Sequence, residues 1–221
     1  MGFSRGPKIV TDDLVLYLDA ANRKSYPGTG TSWSDLSGNG NTGTLNNGPT
    51  FDSGNGGSIV FDGSNDTVST TGNTLTESQC AVSIWFSRAG NDASQRLIRR
   101  LGANTNRFYL LVSQNDIYGV RGENNPREAS FSFAVNEFIN VTWQWRLSDT
   151  LQQIYINGEI TYNGGYTPVT SGGNATFGLA QASGGEVWFS GNVASASVYN
   201  RILTAQEVLQ NYNALKGRFG L

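Results

Sequence analysis

The stretch NVASASVYNRILTAQEVLQNYNALKGRFGL, residues 192–221, runs from a strand pattern straight into one short helix and then stops. Val193, Ser195, Ser197 and Tyr199 alternate with Ala194, Ala196 and Val198. In an extended chain the first set occupies one face and the second set the other. Beyond Tyr199 the apolar period lengthens from two to about 3.6. Thr204 and Glu207 have the spacing of a capping box, whose hydroxyl and carboxylate satisfy N–H groups left open at a helix start. Ala205, Val208, Leu209, Tyr212 and Leu215 form one apolar stripe, and Gly217 is the expected stop. A last strand backed by one amphipathic helix is the ending of a closed β-sandwich, not of an α/β enzyme.

Composition agrees with that ending. The 221 residues suit a single all-β sandwich with a sizeable core. Charged residues make up 14% and the formal net charge is −2, so the chain lacks the basic excess of a nucleic-acid binder. Its 28 glycines, with abundant Asn, Ser and Thr between apolar runs, are turn chemistry. Cys80 is the single cysteine, which excludes an internal disulfide, and its place at the head of CAVSIWF predicts a buried, inert thiol. Histidine is absent, which removes the commonest general base and zinc ligand together. No stretch approaches the ~20 apolar residues of a membrane helix, so no membrane insertion is expected. The start, MGFSRGPKIV, has no apolar signal-peptide core.

Along the chain, residues 1–8 read as an arm broken by Gly2, Gly6 and Pro7, and 9–221 as one domain. Residues 14–19 alternate as a strand. Residues 25–48 read as a long Gly/Ser/Thr/Asn loop carrying Trp33 and Leu36. Short strands are expected at 58–61, 67–69, 80–87, 96–100, 107–112, 117–121, 129–134 and 139–146. Asn157-Gly158 supplies the two positive-φ residues of a type I′ hairpin within 154–162. Strands at 175–179, 186–189 and 192–199 complete the pattern. Many short strands and one helix mean an all-β, two-sheet antiparallel sandwich or jelly roll with one short C-terminal helix.

Catalytic chemistry finds little to use. A serine hydrolase triad has no histidine, and Cys80 has no base partner. A retaining glycosidase needs two carboxyl groups about 5–5.5 Å apart. Yet Glu128, Glu159 and Glu186 stand singly near strand centres, and adjacent Asp12 and Asp13 point to opposite faces. Calcium is the cofactor candidate, because D-L-S-G-N-G-N (35–41) spaces oxygen donors in one Gly-rich loop and calcium takes 6–8 oxygens in irregular geometry. The candidate ligands are Asp35, Asn39, Asn41 and Asp62, with Asp66 beside Asp62. A metal-free array of Asx turns is the alternative reading. For glycan binding, Trp33, Tyr118 and Tyr166 are the loop-side aromatics that offer flat faces. Trp85, Trp143, Trp145 and Trp188 lie in strands and read as core. Arg96, Arg99 and Arg100 read either as a contact to another subunit or as a solvated strand edge.

Beyond these local readings, SVYNRILTAQEVLQNYNALKGRFG resembles the closing segment of laminin-G-like, concanavalin A-like lectin/glucanase jelly-roll domains. It is most similar to versions found in structural proteins of bacteriophage particles. The opening block at 9–51 and the interior blocks SIVFDGSNDTVST, AVSIWFSR and IYINGEI are similar to that family's blocks, in the same order. The resemblance implies calcium at one edge of the sandwich. Two departures stand against other family properties. The E-x-D-x-x-E strand motif of the glucanases is missing, and Gly191-Asn192-Val193-Ala194-Ser195 replaces the usual acidic pair before the last strand.

The resulting expectation is a non-enzymatic virion structural protein, used in capsid decoration, a fibre or a tail, with a carbohydrate-binding lectin-like module as the alternative. Its expected partners are other virion proteins, such as the major capsid protein or further copies of itself, and a host surface glycan. The expected localisation is the virion, after synthesis in the host cytoplasm. Arg5 and Lys8 in the arm, with Phe219 and Leu221 in the tail, are the candidate assembly contacts.

Overall fold

A computed structural model describes residues 7–90, 95–101, 108–113, 116–121, 127–167, 176–180 and 187–221, without the side chains of residues 100, 101, 108, 121, 127 and 128. Among these residues there are seventeen strands. The first six are β1 (Leu14–Asp19), β2 (Ser32–Trp33), β3 (Gly43–Asn46), β4 (Thr50–Asp52), β5 (Ser58–Asp62) and β6 (Thr67–Thr70). Then come β7 (Gln79–Arg88), β8 (Gln95–Leu101), β9 (Phe108–Val112), β10 (Asp116–Arg121) and β11 (Arg127–Ser130). The last six are β12 (Ile139–Arg146), β13 (Leu151–Ile156), β14 (Glu159–Gly165), β15 (Thr176–Leu179), β16 (Val187–Trp188) and β17 (Ser190–Tyr199). Helix α1 (Ala205–Leu215) and a 3-10 turn at Lys216–Phe219 close the chain.

The strands form two stacked sheets. The eight-stranded sheet runs β14-β13-β12-β7-β17-β5-β4, with β1 also paired to β17. The nine-stranded sheet runs β11-β10-β9-β8-β15-β6-β3-β2, with β16 also on β8. All pairs are antiparallel except β16 with β8. This is the expected jelly-roll sandwich.

Alternation along the strands fills the space between the sheets. Trp143 and Trp145 point inward from β12 with ring centroids 5.0 Å apart, and both are fully buried. Opposite them, Gly119 in β10 has no side chain to hold the sheets apart. A Cβ there would lie 2.6 Å from Trp143 Nε1. Gln152 Nε2 donates to the Gly119 carbonyl at 2.9 Å, so the sheets are bonded as well as packed at that point. Cys80 is buried among these side chains as an aliphatic neighbour would be.

Several expectations need correction. Residues 25–48 are not one loop, because Trp33 and Leu45 bury their side chains and carry β2 and β3 onto β6. A bulge between Val193 and Ser195 breaks the simple alternation of β17. Val193 therefore joins Ala196 and Val198 in the core, while Ser195 and Ser197 face outward. Residues 131–134 are not strand.

Helix α1 starts at the expected capping box: Glu207 N donates to Thr204 Oγ1 at 3.2 Å and Thr204 N to Glu207 Oε2 at 2.8 Å. Its buried positions are Val208 and Asn211, whereas Ala205 and Leu209 are exposed. Asn211 replaces an apolar residue there because it has hydrogen-bond partners on both sides. Gly217 does not end the turn; Gly220, with φ 74°, is the left-handed cap.

Candidate functional site

The outer face of the nine-stranded sheet carries an arrangement that spacing alone conceals. In a regular strand Arg96 and Arg99, three apart, would point to opposite faces. A bulge between Arg96 and Ile98 changes this: Arg96 opposes Leu111 and Arg99 opposes Tyr109. Leu97 and Ile98 turn into the core, and both arginines turn out. The Arg96 guanidinium lies 3.8 Å from the Tyr109 ring centroid, a cation–π contact. Across β10, Tyr118 stands beside Leu111 and Val120 beside Tyr109. On the other side Gly178 flanks Arg99 and Ser69 flanks Gly178. Trp188 in β16 opposes Arg96.

The face is half-enclosed. Arg96 and Arg99 are buried, whereas Tyr109, Leu111 and Tyr118 are partly exposed. Tyr118 Oη donates to Asp116 Oδ2 at 3.2 Å, which fixes the ring. Further out, Asn46 Nδ2 donates to Thr67 Oγ1 and Ser69 Oγ. The flat rings of Tyr109 and Tyr118, with the two buried arginines beside them and a border of hydroxyls and amides, make a surface that can stack on a ring and hydrogen-bond its rim. Sequence reading found Tyr118 but read the arginines either as a contact to another subunit or as a solvated strand edge. They lie instead on β8, between β9 and β15. Arg100's side chain lies outside the described residues.

The other two candidate aromatics are corrected. Trp33 is fully buried and Tyr166 is 4% exposed, so neither offers a free face. Trp33 is drawn in because β2 pairs with β3, which carries Leu45 into the same core.

Of the candidate calcium ligands, Asp35, Asn39 and Asn41 share one loop and Asp62 lies apart from them. Asp35 Oδ1 accepts from Tyr17 N and Ser37 N, and Oδ2 accepts from Ser37 Oγ and Asn41 N, all at 2.8–2.9 Å. Its acceptor positions are thus taken by donors. Asn39 and Asn41 spend their amides on the Leu14 and Val15 carbonyls of β1. Asp62 opposes Ser190, whereas Tyr17, beside Asp35, opposes Ser197. Seven residues along β17 separate the two by roughly 20 Å. Asp62 N instead donates to Asp66 Oδ2, and burial raises the Asp66 pKa. Among the described residues no group of three or more His, Cys, Asp or Glu gathers. The donor set does not fit a calcium ion, and the Asx-turn reading describes this loop.

The first and last described segments both contact the body of the domain. Gln210 Nε2 donates to the Lys8 carbonyl at 2.8 Å, which ties Lys8 to α1 although its side chain is exposed. Phe219 stacks on Trp85 and Phe138, with centroids at 4.4 and 4.6 Å, and stays partly exposed. Leu221 is exposed, and Arg5 lies outside the described residues. A cleft of about 480 Å³ opens between the segment ahead of β1 and the end of α1, lined by Lys8, Ile9, Leu14, Tyr17 and Leu215. No described helix is long and apolar enough to cross a membrane.

Comparison with known proteins agrees with this architecture. Residues 62–209 match the Laminin_G_3 family model of the concanavalin A-like lectin/glucanases superfamily. No curated protein matches the chain. Domain 4 of AbnA, an extracellular arabinanase from Geobacillus stearothermophilus solved with arabinotriose, has a similar fold. It superposes with a TM-score of 0.71 at 16% identity, over 90% of this chain and 98% of that one. A botulinum neurotoxin type C structure, whose cell entry depends on interaction with two ganglioside molecules, gives 0.72 at 14% identity over 93% of this chain and 52% of that one. Trypanosoma rangeli sialidase in complex with sialic acid gives 0.70 at 13% identity over 93% and 33%. This chain therefore spans about half of the toxin chain and a third of the sialidase chain.

Proposed function

Since this chain belongs to the concanavalin A-like lectin/glucanases superfamily, we propose that it is a non-enzymatic, lectin-like adhesion module of a bacteriophage particle, binding a host surface glycan on the outer face of its nine-stranded sheet. The observation that carries this reading is the bulge in β8, which sets Arg96 and Arg99 beside Tyr109 and Tyr118 on one half-enclosed surface. Sugar rings stack on such aromatics, and their hydroxyls take up the border of amides and hydroxyls. The similar folds solved with arabinotriose and with sialic acid support the choice of ligand class.

We propose binding without cleavage, a reading supported by the carboxylates described on this face. Hydrolysis with retention needs two carboxyl groups about 5–5.5 Å apart. Among the side chains described on this face, Asp116 is the one carboxylate, and it holds Tyr118. The virion setting is supported by the resemblance of the chain to domains of phage structural proteins. Contact with neighbouring virion proteins, the major capsid protein or a second copy, is assigned to the apolar cleft beside Lys8 and Leu215.

An immobilised-glycan array probed with the wild-type chain, Tyr109→Ala and Tyr118→Ala tests the site. Specific binding that weakens at least tenfold in both variants is expected. A chain that binds no glycan, or variants that bind as the wild type does, would overturn the assignment. Mass spectrometry of purified phage particles carrying the gene tests the virion setting, which fails if the chain is absent from them.

A further inference from the structure

The outer face of the eight-stranded sheet holds a row that its C-terminal cover does not match. Register aligns four side chains across four strands: Asn140 of β12, Trp85 of β7, Ser195 of β17 and Asp19 of β1. The row below it is equally polar, with Thr142, Ser83, Ser197 and Tyr17. A sheet face that exists only to be covered by a helix normally presents aliphatic side chains. Here an indole sits between an amide and a hydroxyl, with a carboxylate at the end.

The chain's own tail lies on this platform. The Phe219 ring stacks on Trp85 at 4.4 Å with 19° between planes, and Tyr212 stacks on it at 5.5 Å and 9°. Arg218 Nη1 donates to Asp19 Oδ1 at 2.8 Å, and its other nitrogens donate to the Asn55 and Gly57 carbonyls. An aromatic face on the indole and a donor on the carboxylate are the two contacts that a pyranose would make, by its C–H face and a hydroxyl. The cover leaves two polar atoms of the row unserved. Trp85 Nε1, a donor, and Asn140 Oδ1, an acceptor, have no hydrogen-bond partner although both residues are at least 98% buried. A hydroxyl group accepts and donates at once, so hydroxyl groups suit both atoms. Buried polar atoms of this kind call for a partner, either an ordered water or a ligand group.

We infer that residues 216–221 are a plug over a second glycan site, whose ligand is a neutral oligosaccharide. Its pyranose ring takes the place of Phe219 on Trp85, its hydroxyls serve Trp85 Nε1 and Asn140 Oδ1, and another replaces Arg218 at Asp19. Neutral sugars are specified because the charged group left on the platform when Arg218 departs is the Asp19 carboxylate, which repels acidic ones. The helix need not move: Val208 and Asn211 anchor it independently of the 3-10 turn. This site lies on the opposite sheet from Tyr118, so it does not depend on the function proposed above.

The test compares the full chain with a chain ending at Leu215 and with the double variant Arg218→Ala/Phe219→Ala. Each is titrated with neutral cello-, malto-, manno- and galacto-oligosaccharides, followed by tryptophan fluorescence and calorimetry. Both variants should bind at least one series ten times more tightly than the full chain. That gain should vanish with Trp85→Phe and survive Tyr118→Ala. Folded variants that bind no more tightly than the full chain would overturn the inference. So would a gain that persists without Trp85, or loss of folding in both variants, which would make the tail an integral part of the core.

Discussion

Asn211 and Tyr199 close a ring of three hydrogen bonds on Val10. Val10 N donates to Asn211 Oδ1 at 2.8 Å, Asn211 Nδ2 donates to Tyr199 Oη at 3.1 Å, and Tyr199 Oη donates to the Val10 carbonyl at 3.0 Å. All three residues are buried, and they join the segment ahead of β1 to the last strand and the helix. Asn211→Leu keeps the volume but strands the Val10 amide, so it should cost about 2–3 kcal/mol in urea unfolding. Tyr199→Phe should cost about 1–2 kcal/mol. The double variant should lose less than the sum, because the two groups share partners. Additive losses would show that the ring does not act as a unit.

Glu207 gives the fold an acid-sensitive tie. Its bidentate pairing with Arg201, at 2.6 and 2.9 Å, and its bonds to the Thr204 cap hold its pKa down at about 2, against an ordinary 4.5. A carboxyl group whose pKa is lower folded than unfolded stabilises the fold above the unfolded value. That contribution fades as pH falls toward the folded value. Glu207 should therefore contribute fully above about pH 5 and progressively less between pH 4.5 and 2. At roughly 1.4 kcal/mol per pKa unit, discounted for solvent screening, the contribution is about 1–2 kcal/mol. Thermal melts across this range should show Glu207→Gln converging on the wild type at pH 2. A constant gap at every pH would contradict the assignment.

Local chemistry was legible and register was not. The Thr204–Glu207 cap and the Asn157-Gly158 turn, with φ of 51° and 86°, depend on residues within a few positions of one another. The outward pairing of Arg96 with Arg99 depends on a bulge, which adds one residue to a strand and flips everything beyond it. The same device moved Val193 into the core. Trp33 misled because a Gly- and Ser-rich context looks like a surface loop. Its burial is decided by pairing with Gly43 and by the space that a Cβ at Gly43, 2.9 Å from Val68, would fill.

Asp35 should matter to the fold without any metal. Asp35→Ala leaves the Tyr17, Ser37 and Asn41 amides without their acceptor, and should cost about 2–4 kcal/mol. A chelator should leave the melting temperature of the wild-type chain unchanged, since donors already surround the carboxylate. A rise of several degrees on adding calcium would show instead that the loop rearranges around an ion.

Glycine at position 119 is required by the close approach of the two sheets, and the requirement is steric, not conformational. A Cβ there would lie 2.6 Å from Trp143 Nε1 and 2.9 Å from Gln152 Nε2, closer than non-bonded atoms allow. Gly119→Ala must push the β10 backbone away from Trp143 or displace Gln152 from the Gly119 carbonyl, and either route costs about 1–3 kcal/mol. Gly217→Ala is the matched control: a Cβ there meets nothing within 4 Å, and its φ is not positive. In that turn alanine should be neutral or stabilise by about 0.4–1 kcal/mol, because it restricts the unfolded chain. Equal losses at the two positions would mean that intrinsic preference, and not the contact between sheets, selects glycine at 119.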